Sequence, residues 1–148
     1  MPIITTAEHN KETLRRFHAA VSSGDEEIIS RTIDEIVHPD VQVGTPLPLE
    51  VTGTAAMKEV LAVLRRAFPD LRIQIEDVIA EGDRVVTRNT VTGTHRGEYM
   101  GIPPTGRSIT YKEVIIARFT DGRVAETWAV VDVMSQMRQL GVFKGPNA

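Results

Sequence analysis

Leu71-Arg72-Ile73-Gln74-Ile75-Glu76-Asp77-Val78-Ile79 decides the fold class, because here the apolar period drops from about four residues to two. Leu71, Ile73, Ile75 and Ile79 share one face of an extended chain, with Arg72, Gln74 and Glu76 on the other. Upstream the pattern is helical. Thr5 and Glu8 have capping-box spacing ahead of a segment with Leu14, Phe17 and Val21 on one face. Gly24 breaks that helix, and Asp25 can cap a second one whose stripe is Ile29, Ile33, Ile36 and Val37. Pro39 ends it and leaves a short strand near Val41 and Val43; Pro46 and Pro48 mark a loop over the surface or a pocket mouth. Thr54 caps a third helix bearing Met57, Val60, Leu61, Leu64 and Phe68, which Pro69 stops.

Downstream, Gly82-Asp83 turns the chain and Val85 to His95 forms the returning strand. Ile109 to Phe119 and Val124 to Val131 then make a second hairpin around Asp121-Gly122, a favoured tight-turn pair. Val133, Met134, Met137 and Leu140 predict a short closing helix ended by Gly141. Three helices followed by four long strands argue for an α+β fold, with a curved antiparallel sheet wrapped against the helices as a cone with an apolar interior. One domain over residues 1–148 accommodates all of this.

The composition is that of an ordinary globular protein, 41% apolar and 25% charged. A net charge of −3 with both signs interspersed gives no reason to expect nucleic-acid or membrane binding. The absence of cysteine removes disulfides, thiolate metal sites and a thiol nucleophile. No signal-peptide pattern opens the chain and no apolar run reaches membrane-spanning length, so a cytoplasmic location is expected. Neither zinc spacing, a phosphate loop nor a nucleophile elbow is present. The expectation is acid–base chemistry without metal or cofactor, or binding alone, on a hydrophobic small molecule.

Two regions hold the candidate residues. Between the hairpins, Gly93 to Gly106 combines four glycines and Pro103-Pro104 with His95, Tyr99 and Met100, all placed to rim or plug a cavity. His95 either exchanges protons with a substrate or simply holds the Pro-Pro loop. With Asp121-Gly122 as loop residues, Phe119 faces Val124, Ile115 faces Trp128, Glu113 faces Val130 and Tyr111 faces Asp132. One face then carries Tyr111, Glu113, Glu126, Trp128 and Asp132, and a one-residue slip would move every one of them to the other side. Lys112, Thr110, Arg118 and Thr127 take the opposite face. Asp132, among apolar neighbours, is a base with a raised pKa or an N-cap for the last helix. Likewise, Arg88 is either a pocket residue for an enolate or carboxylate or the ion-pair partner of Asp77. His95 would point away from Ile73 and Ile75 unless Gly93 introduces a bulge. His9, His18 and His38 read as ordinary.

Gly93-Thr94-His95-x-Gly97, then Met100-Gly101-Ile102-Pro103-Pro104-Thr105-Gly106, Phe119 to Val124, Glu126-x-Trp128, Asp132 and Leu140-Gly141 together resemble the SnoaL-like polyketide cyclase family. The resemblance runs from Glu8 to Gly141. It implies the cone architecture shared with ketosteroid isomerase and nuclear transport factor two, and a cofactor-free cyclase with Asp132 as general acid and base. His95, Arg88, Tyr111 or Glu113 would then handle the substrate's oxygens, and Trp128 would offer its rings a flat surface. It also implies a homodimer or higher homo-oligomer formed through the sheet, compatible with Val114, Ile116 and Ala129 on the outer hairpin face. Where many members have a histidine after Asp40-Val41, this chain has Gln42-Val43-Gly44. Isomerisation and hydroxylation are rival reactions on this scaffold; epoxide hydrolysis is disfavoured by Arg88-Asn89-Thr90, which lacks the strand aspartate. A non-catalytic ligand-binding or dimerisation module predicts no shifted carboxylate in the pocket and an Asp132 that only caps a helix.

Overall fold

The computed structural model describes residues 6–143. Four helices and five strands follow in the order α1 (Thr6–Ser23), α2 (Glu26–Ile36), β1 (Val37–Gly44), α3 (Gly53–Ala67), β2 (Arg72–Glu81), β3 (Arg84–Thr94), β4 (Ser108–Thr120), β5 (Arg123–Val131) and α4 (Val133–Gln139). The α+β class read from the period change is the one observed. The sheet is mixed and not closed: its order is β1-β5-β4-β3-β2, with β1 parallel to β5 and every other pair antiparallel. Helix α1 packs on β2 and β3, while α3 packs on β1. The expected Thr5 cap lies outside the described residues.

The local signals hold with small shifts. Asp25 caps α2 by accepting from the amides of Glu27 and Ile28. Val37 begins β1 instead of extending α2, and its position in the strand keeps it buried. The third helix has Thr52, not Thr54, at its N-cap position, with no side-chain capping bond, and its end is fixed by the Phe68 amide donating to Leu64. Asp121 and Gly122 both take positive φ, 52° and 76°, as a tight hairpin turn of the primed type requires.

Two β-bulges change which side chains face inward. In β5, Phe119 pairs with Val124 as expected, but Arg118 pairs with Glu126, so Ala125 is an extra residue. Ile116, not Ile115, therefore faces Trp128, and Glu113 faces Val131 instead of Val130. Thr127, Ala129 and Val131 turn toward the helices; Glu126, Trp128, Val130 and Asp132 turn away. Val130 is 68% exposed, and Glu126 pairs with Arg118 on the outer side. In β2, Ile75 pairs with Asn89 and Asp77 with Arg88, leaving Glu76 over. That bulge puts Ile79 outside at 62% exposure, and it answers the parity question about His95 in β2 rather than at Gly93.

Candidate active site

A cavity of about 90 Å³, open at its mouth, lies between the inner face of the sheet and helices α1, α3 and α4. Its walls are apolar: Phe17 of α1, Leu61 and Leu64 of α3, Ile73, Val91, Ile115, Ala129 and Val131 of the sheet. Leu47, carried in on the proline-flanked segment after β1, covers part of it. Polar side chains gather at one end. The alternation of β4 aims Tyr111 and Glu113 inward, two residues apart on one face. From β3, Asn89 sits directly across from Glu113 in the strand register. His18 comes from α1, Tyr99 from the glycine-rich loop and Gln136 from α4.

These groups are connected. Asn89 Nδ2 donates to Glu113 Oε1 at 3.1 Å and lies 3.3 Å from Thr87 Oγ1 and 3.5 Å from His18 Nε2. Burial pushes the Glu113 carboxyl above the usual carboxylate range, with the Asn89 hydrogen bond opposing part of that shift. Burial also holds the His18 imidazole down at about 4, the Leu14 carbonyl opposing, so His18 is neutral at pH 7 and its Nε2 can accept from Asn89. The Tyr111 and Tyr99 hydroxyls are raised by burial and stay protonated. Tyr99 donates to Gln136 Oε1 at 3.0 Å. A neutral imidazole, an amide on one carboxylate oxygen and two phenols make an environment that accepts a proton at Glu113 and offers hydrogen bonds to a ligand's oxygens.

Of the residues singled out in the sequence, Tyr99, Tyr111 and Glu113 line the cavity. The others lie elsewhere. His95 is fully buried, but its Nδ1 accepts from the Thr105 amide at 3.1 Å, and its ring rests on Phe68 at 5.6 Å. Phe68 in turn packs on Tyr99, so His95 stands behind the cavity wall and pins the Pro-Pro loop. Met100 is at the exposed loop tip. Arg88 donates to Asp77 at 2.6 Å on the outer face, where the β2 bulge carries that pair. Trp128 is outside too, with the Arg84 guanidinium over its ring at 5.8 Å. Asp132 is exposed and accepts from the Ser135 amide at 3.0 Å as the N-cap of α4; the extra residue at Ala125 removed it from the inner face.

Three residues escaped the sequence reading: His18 and Gln136, which line the cavity, and Asn89, which holds Glu113. His18, assigned to a solvated helix face, is buried; its spacing from Leu14 and Val21 was the available signal. Asn89 shares the parity of Val85 and Val91, and Gln136 is one turn before the buried Leu140. Among the described residues no cluster of His, Cys, Asp or Glu converges to hold a metal, and no helix is long and apolar enough to cross a membrane. Of the two signs expected of a non-catalytic module, the helix-capping Asp132 is met, but an unshifted pocket carboxylate is not.

Comparison with known proteins places this geometry. The family model described as SnoaL-like polyketide cyclase matches residues 11–140. The chain is 31% identical over 114 residues to the nogalonic acid methyl ester cyclase of Streptomyces nogalater, covering 74% of this chain and 83% of that one. The solved structure of AclR from Streptomyces galilaeus, named as a candidate hydroxylase, superposes with a TM-score of 0.79 at 32% identity over 94% of this chain and 85% of that one. A SnoaL-like structure from Jannaschia sp. CCS1 shares the fold at a TM-score of 0.85 and 24% identity, over 97% and 99% of the two chains. The chain belongs to the SnoaL-like polyketide cyclase family.

Proposed function

We propose that the cavity closes a ring in a polyketide-type keto ester by intramolecular aldol addition, with Glu113 as the base. The observation that carries this is a buried carboxylate, raised in pKa, at the polar end of an apolar cavity and held by an amide on one oxygen only. Glu113 takes the proton from a carbon flanked by two carbonyls, and the electron pair shifts onto the enolate oxygen, which Tyr111 meets with a hydrogen bond. The carbanion adds to a ketone elsewhere in the same molecule, forming one carbon–carbon bond. The new alkoxide takes its proton back from the Glu113 carboxylic acid. No atom is gained or lost. In this reading Glu113 occupies the role that the family resemblance implied for Asp132, and the apolar walls hold the chain of the substrate folded for attack. The ester class comes from the nogalonic acid methyl ester cyclase relative.

The test is incubation with a tricyclic aromatic β-keto methyl ester and analysis by chromatography and mass spectrometry. A new product of unchanged mass is expected. The reaction in the name of the Streptomyces galilaeus relative, hydroxylation, would instead add one oxygen, and recovery of unreacted ester alone would remove the cyclase reading.

The outer face of the sheet supports a homodimer. Val86, Val114, Ile116 and Trp128 are only half-buried there, and Val130 is exposed; Ala129, expected on this face, lines the cavity instead. Val130→Glu is expected to shift sedimentation toward the monomer, because it places a charge in the middle of an apolar contact. Sedimentation of the unaltered chain as a monomer would end this proposal.

A further inference from the structure

Gln136 is fully buried, yet its Nε2 amide has no hydrogen-bond partner among the described residues. Its other end is fixed, because Tyr99 donates to Oε1 at 3.0 Å and so sets which way the carboxamide points. The Gln136 side chain is also a neighbour of the Tyr111 hydroxyl, which it acts to lower in pKa against the effect of burial. Both groups line the cavity. A desolvated N–H pair left unsatisfied is costly, and such a group inside a ligand cavity is explained by an acceptor that arrives with the ligand.

We propose that Gln136 Nε2 and the Tyr111 hydroxyl form a two-donor seat for a carbonyl oxygen of the ligand, and that Tyr99 is the positioning residue that aims Gln136. The ligand class that fits is a flat aryl ketone or ester with a hydrogen-bearing carbon beside the carbonyl. Tyr111 is two residues from Glu113 on the same face of β4, a separation of roughly 6–7 Å along the strand. A carbonyl oxygen seated on Tyr111 and Gln136 therefore turns its neighbouring carbon toward the carboxylate. An enolate oxygen formed there is held by the same two donors more strongly than the ketone, because its negative charge shortens and strengthens both hydrogen bonds.

The inference rests on the cavity reading above, but its test is binding and does not need turnover. The probes are indanone and indane, the same ring frame with and without the carbonyl, titrated against the full chain. Wild type is expected to prefer indanone by roughly tenfold, the size of a net hydrogen-bond contribution at its upper range. In Gln136→Leu the preference falls toward unity while indane binds as before. Tyr111→Phe, which keeps the ring packing, removes part of the preference and serves if the Leu variant does not fold. The infrared carbonyl stretch of bound indanone reads the positioning role: it lies lower in wild type and moves up in Tyr99→Phe. A preference kept in both donor variants, equal weakening of both probes, equal binding by wild type, binding of neither probe, or a stretch unmoved in Tyr99→Phe would each overturn the proposal. An active Glu113→Gln variant would sink the acid–base reading while leaving this preference intact, so the two fail separately.

Discussion

Glu113→Gln is expected to lower ring closure by roughly 10²–10⁴-fold, the usual contribution of a positioned general base, while raising the melting temperature at neutral pH. Both effects come from one cause. The cavity disfavours the charged carboxylate, which makes it a better base and a burden on the fold. The sign follows from the direction of the shift. Glu113 has a folded-state pKa above its unfolded value, so the folded state binds more protons between the two. Stability therefore falls as pH rises through that window, and the penalty is complete above the folded-state value. Gln, uncharged at every pH and close in shape, removes the penalty and keeps an acceptor for Asn89. The stability advantage of the variant is thus largest at neutral and alkaline pH and vanishes below the unfolded carboxylate range. Activity in wild type should rise with pH through the same window as the base loses its proton.

His18 contributes the opposite slope and must be separated from this. Its folded-state pKa of about 4 lies below the ordinary 6.5, so stability present above pH 6.5 is lost as the solution is acidified toward 4. Wild type and Glu113→Gln share that limb, and the difference between their two pH–stability curves isolates Glu113. Thermal melts from pH 4 to 9 together with the rate assay check the pair of effects. A variant that loses activity without gaining stability would mean that Glu113 is not strained by its burial, and one that keeps activity would remove it as the base.

The architecture was legible because it depends on periodicity, and periodicity survives small errors. The change at Leu71, the Asp25 cap and the Asp121-Gly122 turn are short-range facts, and each was met within a residue or two. The site was only partly legible because it depends on parity, which one inserted residue reverses. Ala125 in β5 moved Trp128 and Asp132 to the outer face, and Glu76 in β2 moved the Asp77–Arg88 pair out with Ile79. Neither position carries a glycine or proline to announce a bulge. Tyr111 and Glu113 were placed inside because β4 is regular from Ser108 to Thr120 and sets the phase for both neighbours. Asn89, His18 and Gln136 gave a weaker signal: a polar residue in an apolar stripe looks like an interruption until the partner across the cavity is known.

Gly97→Ala is expected to cost about 3 kcal/mol, the upper end for overpacking. Its cause is a close approach and not a special backbone angle. A Cβ built on Gly97 would sit 2.1 Å from the Arg66 carbonyl oxygen and 2.9 Å from its carbon. Those are backbone atoms at the end of α3, where nothing can swing aside. The approach exists because the last turn of α3 leaves carbonyls without helical partners, and the amides of Arg96 and Gly97 donate to the Ala67 oxygen at 2.9 and 3.2 Å. A methyl group forces the loop off the helix and breaks both bonds. Gly106 supplies the contrast: its φ of 73° favours glycine, but no atom lies within 4 Å of the added Cβ. Gly106→Ala should therefore cost only about 1 kcal/mol. At roughly 2–4 °C per kcal/mol for a domain near this size, the melting temperature should drop by about 10 °C for the first variant and by a few degrees for the second. The loop lifted by Gly97→Ala also carries Tyr99, whose hydroxyl holds Gln136, so ligand binding should weaken in step with stability. Equal melting temperatures for the two variants would show that the loop can leave α3 freely and that its glycines serve only the turns.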